Sequence, residues 1–247
     1  MNVDYTEISK TYDRYRSYPQ SLIENIIDFG EIKEGMRVLD LGCGTGNVAS
    51  QLLGLLKVNL IGIDQSIPML EVAREKSLDV ICADADSNPL PFQDSSFDII
   101  IAAYVIHHIT NPKLLISDCY RVLREGTLLI LTSSHNQIEH QHPVIRQFFP
   151  TCIETDKNRF PDLAEIEYLL RSAGFQDIKQ TELLVGNIPI DEEYLEKVKG
   201  KYVSTYRLLP QSEFELGVSK LEAFLKSRGR HESREWRCTL IRGRKNA

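Results

Sequence analysis

The chain has 247 residues, 42% of them hydrophobic and 26% charged, with a net charge of -6. That length suits one large domain or a domain with an appended cap, and the composition excludes disorder. The negative balance argues against a surface built as a whole to attract nucleic acid.

Ser21 can cap a first helix, with Glu24 at the reciprocal position and Gly30 at its end; Leu22, Ile23, Ile26 and Ile27 give it an apolar face. Residues 37–41 read as the first strand. A Gly-rich turn follows, then a helix through Val48, Leu52, Leu53 and Leu56. Residues 58–63 are the second strand. The next helix starts near Ser66, with Pro68 in its first turn, where a missing N–H costs little. A short third strand falls at 79–83. The continuous apolar run at 97–103 fits a central strand buried on both faces. Asn111 and Pro112 open another helix as N-cap and first residue, and Gly126 is expected to end it before a fifth strand at 127–132.

Beyond that strand the rhythm changes. Residues 133–160 are polar, with a short aromatic piece at Phe148 and Phe149. A helix from Asp162 to Ala173 stops at Gly174, and a sixth strand is expected at 177–185. Helical patterns recur at Glu192–Val198 and Glu213–Leu225, and Glu235–Ile241 is the last strand. Such alternation predicts an α/β fold on a largely parallel sheet. The expected organisation is an N-terminal extension with its helix over 1–30 and a core over 31–247. Insertions interrupt that core at about 133–160 and 187–231.

Five cysteines, Cys43, Cys82, Cys119, Cys152 and Cys238, form an odd set without a C-x-x-C pair. They fit free thiols in a reducing compartment better than a disulfide frame or zinc site. The residues from Met1 to Glu7 lack the basic and apolar regions of a signal peptide, and no apolar run approaches the ~18–20 residues of a membrane span. A soluble cytoplasmic protein is the expectation.

The chemistry centres on the turn after the first strand, Asp40-Leu41-Gly42-Cys43-Gly44-Thr45-Gly46-Asn47. Glycines there let a ligand lie on main-chain N–H groups, and the helix that follows adds a positive dipole end. Asp40 suits a ligand ammonium, directly or through water. Two cofactor classes fit the glycines alone. Gly42-x-Gly44-x-Gly46 is a methyltransferase spacing, whereas Gly44-x-Gly46-x-x-Ala49 satisfies a permissive dinucleotide fingerprint; Asp64 could hold ribose hydroxyls in either.

Downstream residues separate the two. Cys82-Ala83-Asp84-Ala85-Asp86-Ser87-Asn88-Pro89-Leu90-Pro91-Phe92 is followed by Asp94-Ser95-Ser96-Phe97-Asp98. Then come Ala103-Tyr104-Val105-Ile106-His107-His108-Ile109 and Arg121-Val122-Leu123-Arg124-Glu125-Gly126. This ordered set resembles the class I S-adenosylmethionine-dependent methyltransferases of the small-molecule, ubiquinone/menaquinone-biosynthesis-like group (methyltransferase type 11), over roughly residues 10–133. The resemblance implies a Rossmann-like three-layer sandwich. Its mostly parallel seven-stranded sheet would have an antiparallel last strand and helical lid insertions. It implies S-adenosyl-L-methionine as cofactor, with Gly42, Cys43, Gly44 and Gly46 around the methionine part. It places Asp64 on the ribose with Gln65 and Met69 beside it, Asp84 and Ala85 at the adenine, and Ala103 and Tyr104 near the amino acid end. Tyr12-Asp13-Arg14-Tyr15-Arg16-Ser17-Tyr18-Pro19 is similar to the family's leading segment. Tyr12 and Arg16 are then candidates for the cofactor carboxylate, with residues 1–30 as its cover. Thr127 stands where the family usually has a second glycine.

The implied reaction is methyl transfer to a small-molecule acceptor at oxygen, nitrogen or carbon. Tyr12, Tyr18 and Tyr104 offer aromatic faces for the sulfonium. His107 or His108 is a candidate base; the alternative, that the pair shapes the pocket wall and caps the next turn, weighs more. His135, His140 and His142, and the pair Asp84 and Asp86, have poor metal grammar, and no metal is expected. Phe148, Phe149, Tyr194, Tyr202, Tyr206 and Phe214 would line a lid. The basic stretch with Lys226, Arg228, Arg230, Arg234, Arg237, Arg242, Arg244 and Lys245 reads as a solvated strand and tail. A phosphate- or RNA-facing patch is its alternative, although motifs of nucleic-acid amino methylation, cytosine C5 methylation and arginine methylation are absent. A non-catalytic cofactor-binding subunit is the third reading.

Overall fold

A computed structural model describes residues 6–86, 89–227 and 232–246. The residues before Thr6 read for a signal, Ser87 and Asn88 of the acidic loop, and Arg228 and Arg230 of the basic stretch lie outside the described residues. Two helices lead, α1 (Thr6–Tyr15) and α2 (Gln20–Gly30). Then β1 (Arg37–Leu41), α3 (Asn47–Leu55), β2 (Asn59–Asp64), α4 (Ile67–Glu75) and β3 (Val80–Cys82) alternate. β4 (Phe97–Ala103), α5 (Pro112–Val122) and β5 (Leu123–Thr132) complete the parallel part. Three short helices, α6 (His135–Glu139), α7 (Pro143–Phe148) and α8 (Thr151–Arg159), precede α9 (Leu163–Ser172) and β6 (Gln176–Ile190). Finally α10 (Glu192–Lys199), α11 (Thr205–Leu208) and α12 (Gln211–Ser227) lead to β7 (Glu232–Lys245).

The sheet order is β3-β2-β1-β4-β5-β7-β6, and β7 runs antiparallel to both neighbours. This is the Rossmann-like three-layer arrangement expected from the sequence. The period-2 alternation of a strand explains the two cores. Ile99 and Ile101 of β4 face Leu22, Ile26, Val48 and Leu52 of α2 and α3, while Ile100 and Ala102 face Leu115, Cys119, Ile166 and Leu170 of α5 and α9. A third cluster lies apart from the sheet. Val144, Phe149, Tyr194, Val198, Phe214 and Leu221 from α7, α10 and α12 and the turn before α8 form the core of a helical cap.

Several local expectations need correction. The helix α2 starts at Gln20 after Pro19 and has no side-chain cap; Glu24 instead accepts from Gln20 Nε2 at 2.7 Å. Ser21 is therefore inside the first turn, where its hydroxyl cannot act as N-cap. Gly126 does not end a helix. The chain passes from α5 into β5 at Leu123, and Gly126 lies against Asp98, whose carbonyl oxygen a Cβ would meet at 2.0 Å. Thr127 is accordingly a buried strand residue beside Ile99, not a turn. Residues 133–160, polar in sequence, fold as three short helices, in keeping with a helical insertion, and turn Ile138, Val144, Ile145 and Cys152 inward. The outer strands are longer than expected, and their register from Asn187↔Glu235 to Ile190↔Glu232 carries the pair out under the cap.

The basic stretch is largely tied into the fold. Arg242 donates to the Phe29 carbonyl at 2.9 Å and pairs with Glu31 and Asp177, which Arg244 also reaches. Lys245 Nζ donates to the carbonyls of Tyr120 and Leu123, and Arg237 pairs with Glu182 and Glu235. These charges join α2, β6 and β7 instead of forming an open patch.

Gly126→Ala should overpack the β4–β5 contact at a cost of about 2–3 kcal/mol, lowering Tm by roughly 5–10 °C. Calorimetry that finds Tm unchanged would refute the close-approach reading.

Candidate functional site

A cleft of about 210 Å³ lies over the carboxyl ends of the first four strands. Ligands of open α/β sheets bind at that edge. The β1–α3 turn builds its floor. Gly42 and Gly46 combine positive φ, +65° and +78°, with tight packing: a Cβ would reach Val105 at 2.4 Å and Leu78 at 2.1 Å. Gly44 differs. Its φ is +54°, and nothing stands within 4 Å of the place a Cβ would take, so its bare backbone faces the cleft.

Asp64 fixes that backbone. One carboxylate oxygen accepts from Gly44 N at 2.9 Å and the other from Ser66 N at 2.8 Å. Burial nevertheless raises its pKa. Asp84 Oδ1 accepts from Asp86 N at 2.9 Å, and Asp86 in turn accepts from Thr110 N at 2.9 Å. The acidic loop is thereby tied to the chain after β4. Asp40 sits beneath the glycine turn, 2% exposed, and its Oδ2 has no hydrogen-bond partner. Burial, and then the charge of Asp64, push its pKa up to about 7.

Of the residues singled out in the sequence, Tyr12, Arg16, Gly42, Gly44, Asp64, Gln65, Met69, Asp84, Ala85, Ala103 and Tyr104 line the cleft. Asp40, Cys43 and Gly46 do not. Cys43 turns away, its Sγ 2.7 Å from where a Cβ on Gly62 would lie, so its thiol serves the fold.

Helix α1 closes the cleft from above. Asp13 accepts from Thr45 Oγ1 at 2.5 Å and pairs with Lys76 at 2.6 Å, while Asn47 donates to the Arg16 carbonyl at 2.6 Å. Arg16 Nη1 donates to the Tyr12 hydroxyl at 3.1 Å, and its guanidinium lies 5.8 Å from the rings of Tyr12 and Tyr104.

A second cavity, of about 620 Å³, lies between the 133–160 helices, the β6–β7 extension and the cap. Arg16, Tyr104, Tyr202 and Ser204 line both spaces, so the two meet there. Tyr18 stacks on Tyr104 with centroids 6.4 Å apart and meets Trp236 at 5.9 Å; Trp236 Nε1 donates to the Tyr104 hydroxyl at 3.3 Å. The adjacent histidines divide. His107 lines the larger cavity, stacks on Phe160 at 3.9 Å, and keeps a buried Nδ1 without a partner. Burial, then His108 and Arg159, lower its pKa well below the usual range, so the ring is neutral at pH 7. His108 lines the cofactor-side cleft with an exposed edge, and burial of its remainder with Arg159 nearby lowers its pKa too.

Tyr194, Tyr202 and Tyr206 line the larger cavity, whereas Phe148, Phe149 and Phe214 pack within the cap. Trp236, Arg234, Gln137 and Asp156 also line it and were not singled out as site residues. A lone Trp alternating with arginines in a charged strand was the available signal for the first two. Among the described residues no group of three or more His, Cys, Asp or Glu is placed to hold a metal ion. His135 and His140 instead bond the Phe160 and Asn136 carbonyls, and His142 accepts from Val144 N. No helix among them is long and apolar enough to cross a membrane.

A sheet of this order, with a glycine-floored acidic cleft at its carboxyl edge, defines a Rossmann-like methyltransferase. The comparisons agree. The model of the Methyltransferase domain family matches residues 39–131. The ubiquinone/menaquinone biosynthesis C-methyltransferase UbiE of Shewanella sediminis is 30% identical over 200 residues, covering 68% of this chain and 77% of that one. A protein of Anabaena variabilis described as a methyltransferase from an antibiotic biosynthesis pathway superposes with a TM-score of 0.74 at 21% identity, over 93% of this chain and 98% of that one. Phosphoethanolamine N-methyltransferase 2 of Haemonchus contortus, in complex with phosphomonomethylethanolamine and S-adenosylhomocysteine, superposes at 0.66 with 21% identity, over 98% of this chain and 58% of that one. The chain belongs to the S-adenosylmethionine-dependent methyltransferase family, in the group that includes the ubiquinone/menaquinone enzymes.

The Asp13→Ala variant should release α1 from Thr45 and Lys76 and weaken S-adenosylhomocysteine about fivefold, the scale of one partly exposed ion pair. Calorimetry showing unaltered affinity would mean that α1 does not cover the ligand.

Proposed function

We propose that this chain methylates a small molecule held in the 620 Å³ cavity, with S-adenosylmethionine in the adjoining cleft. The observation that carries this reading is the junction at Arg16 and Tyr104, where an enclosed space for an acceptor opens onto the cofactor cleft. The cavity is of the size of small-molecule sites. The relatives are named for ubiquinone/menaquinone biosynthesis and for methylation of phosphoethanolamine, both small-molecule chemistry.

The cleft's own residues suit the cofactor. Gly44 leaves open backbone for its methionine part, and the unpartnered Asp40 Oδ2 suits an ammonium reached through water. Asp64 and Gln65 would take the ribose, Asp84 and Ala85 the adenine, and Arg16 with Tyr12 the carboxylate. Cys43 and Gly46 would shape the turn without touching the ligand. S-adenosylmethionine supplies a methyl group already activated on sulfonium, which leaves by in-line displacement. The protein's work is then to orient the acceptor and exclude water, effects worth up to ~7–11 kcal/mol in favourable cases. Tyr18, Tyr104 and Trp236 bring aromatic faces to the junction, and His107 offers a neutral imidazole to a proton leaving the acceptor. Five free thiols support a reducing, cytoplasmic setting. The RNA or protein alternative loses its main support, since Arg237, Arg242, Arg244 and Lys245 are spent on contacts within the fold.

A methyl-transfer screen over metabolites, read by S-adenosylhomocysteine release, tests the reading. Turnover of some member is expected; transfer only to RNA or protein substrates would contradict it. His107→Phe keeps the stack on Phe160 but removes the imidazole nitrogens. With an oxygen or carbon acceptor, kcat should fall about 100-fold at unchanged cofactor affinity. An undiminished kcat would make His107 part of the wall.

The buried carboxyl of Asp40 is protonated below about pH 7 in the free protein, and an ammonium favours the ionised form. Affinity for S-adenosylmethionine should thus be nearly full at pH 8 and about tenfold weaker at pH 6, with the dependence flattened in Asp40→Asn. Equal affinities at both pH values in the unaltered protein would refute this role.

A further inference from the structure

Three arginines of β7, Arg234, Arg242 and Arg244, keep a buried Nε without a hydrogen-bond partner. Two of them are matched in charge, since Arg242 and Arg244 both reach Glu31 and Asp177. Arg234 is not. Among the described residues it has no carboxylate in ion-pair reach, and the groups that face it are the phenols of Tyr202, Tyr194 and Tyr206. Its Nη2 donates to the Tyr202 hydroxyl at 3.0 Å, and its guanidinium lies 5.8 Å from the Tyr194 ring centre. Burial pushes the Tyr194 and Tyr206 hydroxyls far up, so neither phenol is a counter-ion at neutral pH.

A cation withdrawn from water without an anion is costly, and the cost is relieved when an anion docks. The carboxylates that line the same cavity are already engaged. Asp156 lies 3.6 Å from Arg159 and accepts from Thr205, and Glu182 and Glu235 hold Arg237 at 2.9 and 2.7 Å. Arg146 is exposed and Arg16, at the junction, is given to the cofactor carboxylate, so among the described residues Arg234 is the charge inside this cavity still to be answered.

We propose that Arg234, with the Tyr202 hydroxyl, binds an anionic oxygen group of the methyl acceptor, a carboxylate or a phosphate. This deepens the function proposed above and rests on it. The Tyr202 oxygen accepts from Arg234, which leaves its own proton to donate to the same anion. Guanidinium geometry suits two parallel bonds to such a group. Strand geometry then fixes the acceptor's shape. Arg234 and Trp236 share a face of β7, two residues or about 7 Å apart. Trp236 touches Tyr104 at the junction with the cofactor cleft, and Tyr202 lines both spaces, so the anion lies within about one such strand spacing of the reacting atom. The body between them lies against aromatic rings. The acceptor is a small molecule with an apolar or flat body and one anionic group about 7 Å from the atom that is methylated.

The test uses protein saturated with S-adenosylhomocysteine and three probes of similar body: phenyl phosphate, phenylacetate and neutral 2-phenylethanol. By calorimetry at least one anion should bind at least tenfold more tightly than 2-phenylethanol, and the tighter anion names the group. Arg234→Gln should abolish that preference and leave 2-phenylethanol unchanged, while Arg234→Lys retains part of it. The proposal is overturned if the unaltered protein binds no anion in preference to the alcohol, or if the preference survives Arg234→Gln. The first comparison needs no variant, so misfolding of either variant leaves the test decisive. Failure to bind S-adenosylhomocysteine would instead count against the methyltransferase reading.

Discussion

The site depends on a carboxylate spent on backbone. Asp64 ends β2 and holds the N–H of Gly44, twenty positions earlier in the chain, together with that of Ser66 at the start of α4. One side chain thereby joins the glycine turn to the neighbouring βα unit. Burial raises its pKa, and burial of Asp40 below, with the charge of Asp64 second, raises that of Asp40. Two acids in one poorly solvated pocket are unfavourable by themselves. A ligand offering sugar hydroxyls to one and, through water, an ammonium to the other would relieve both, as the proposed nucleoside carrying an amino acid would.

The remaining structure serves that cradle from three sides. Helix α1 is drawn onto the turn by Asp13, which reaches Thr45 and Lys76 together. The chain after β4 delivers Tyr104 in the left-handed region, with φ of +55°, toward Tyr18 and Trp236. Such a conformation in a bulky residue costs free energy and is held only where surroundings fix it. Here the Leu131 carbonyl accepts from Tyr104 N at 2.9 Å, and Trp236 holds the hydroxyl. The long outer strands then carry β7 past the sheet, so that Arg234 and Trp236 lie under the cap rather than beside the core.

Much of this was legible in the sequence, and for identifiable reasons. The apolar run of β4 stands for burial on two faces, and Asn111-Pro112 marks a helix start that the structure keeps, with the Asn111 side chain accepting from Leu114 N. The glycine turn was readable from its place between a strand and a helix, and its acidic followers through their resemblance to the methyltransferase family. Other features were hidden. Helices of five to nine residues between His135 and Arg159 are too short for an apolar period to show. Gly126 looked like a helix stop because its true constraint, the Asp98 carbonyl, belongs to another strand. Arg234 and Trp236 were masked by charged neighbours. Only the pairing of β7 with β6 shows which of the alternating residues turn inward.

A crystal structure of the protein with S-adenosylhomocysteine bears most directly on the central claim. The account requires the purine beside Asp84 and Ala85, the amino acid end over Gly44 near Arg16, and the sulfur turned toward Tyr104 and the larger cavity. A nucleoside lodged elsewhere, or a sulfur facing away from that cavity, would contradict it.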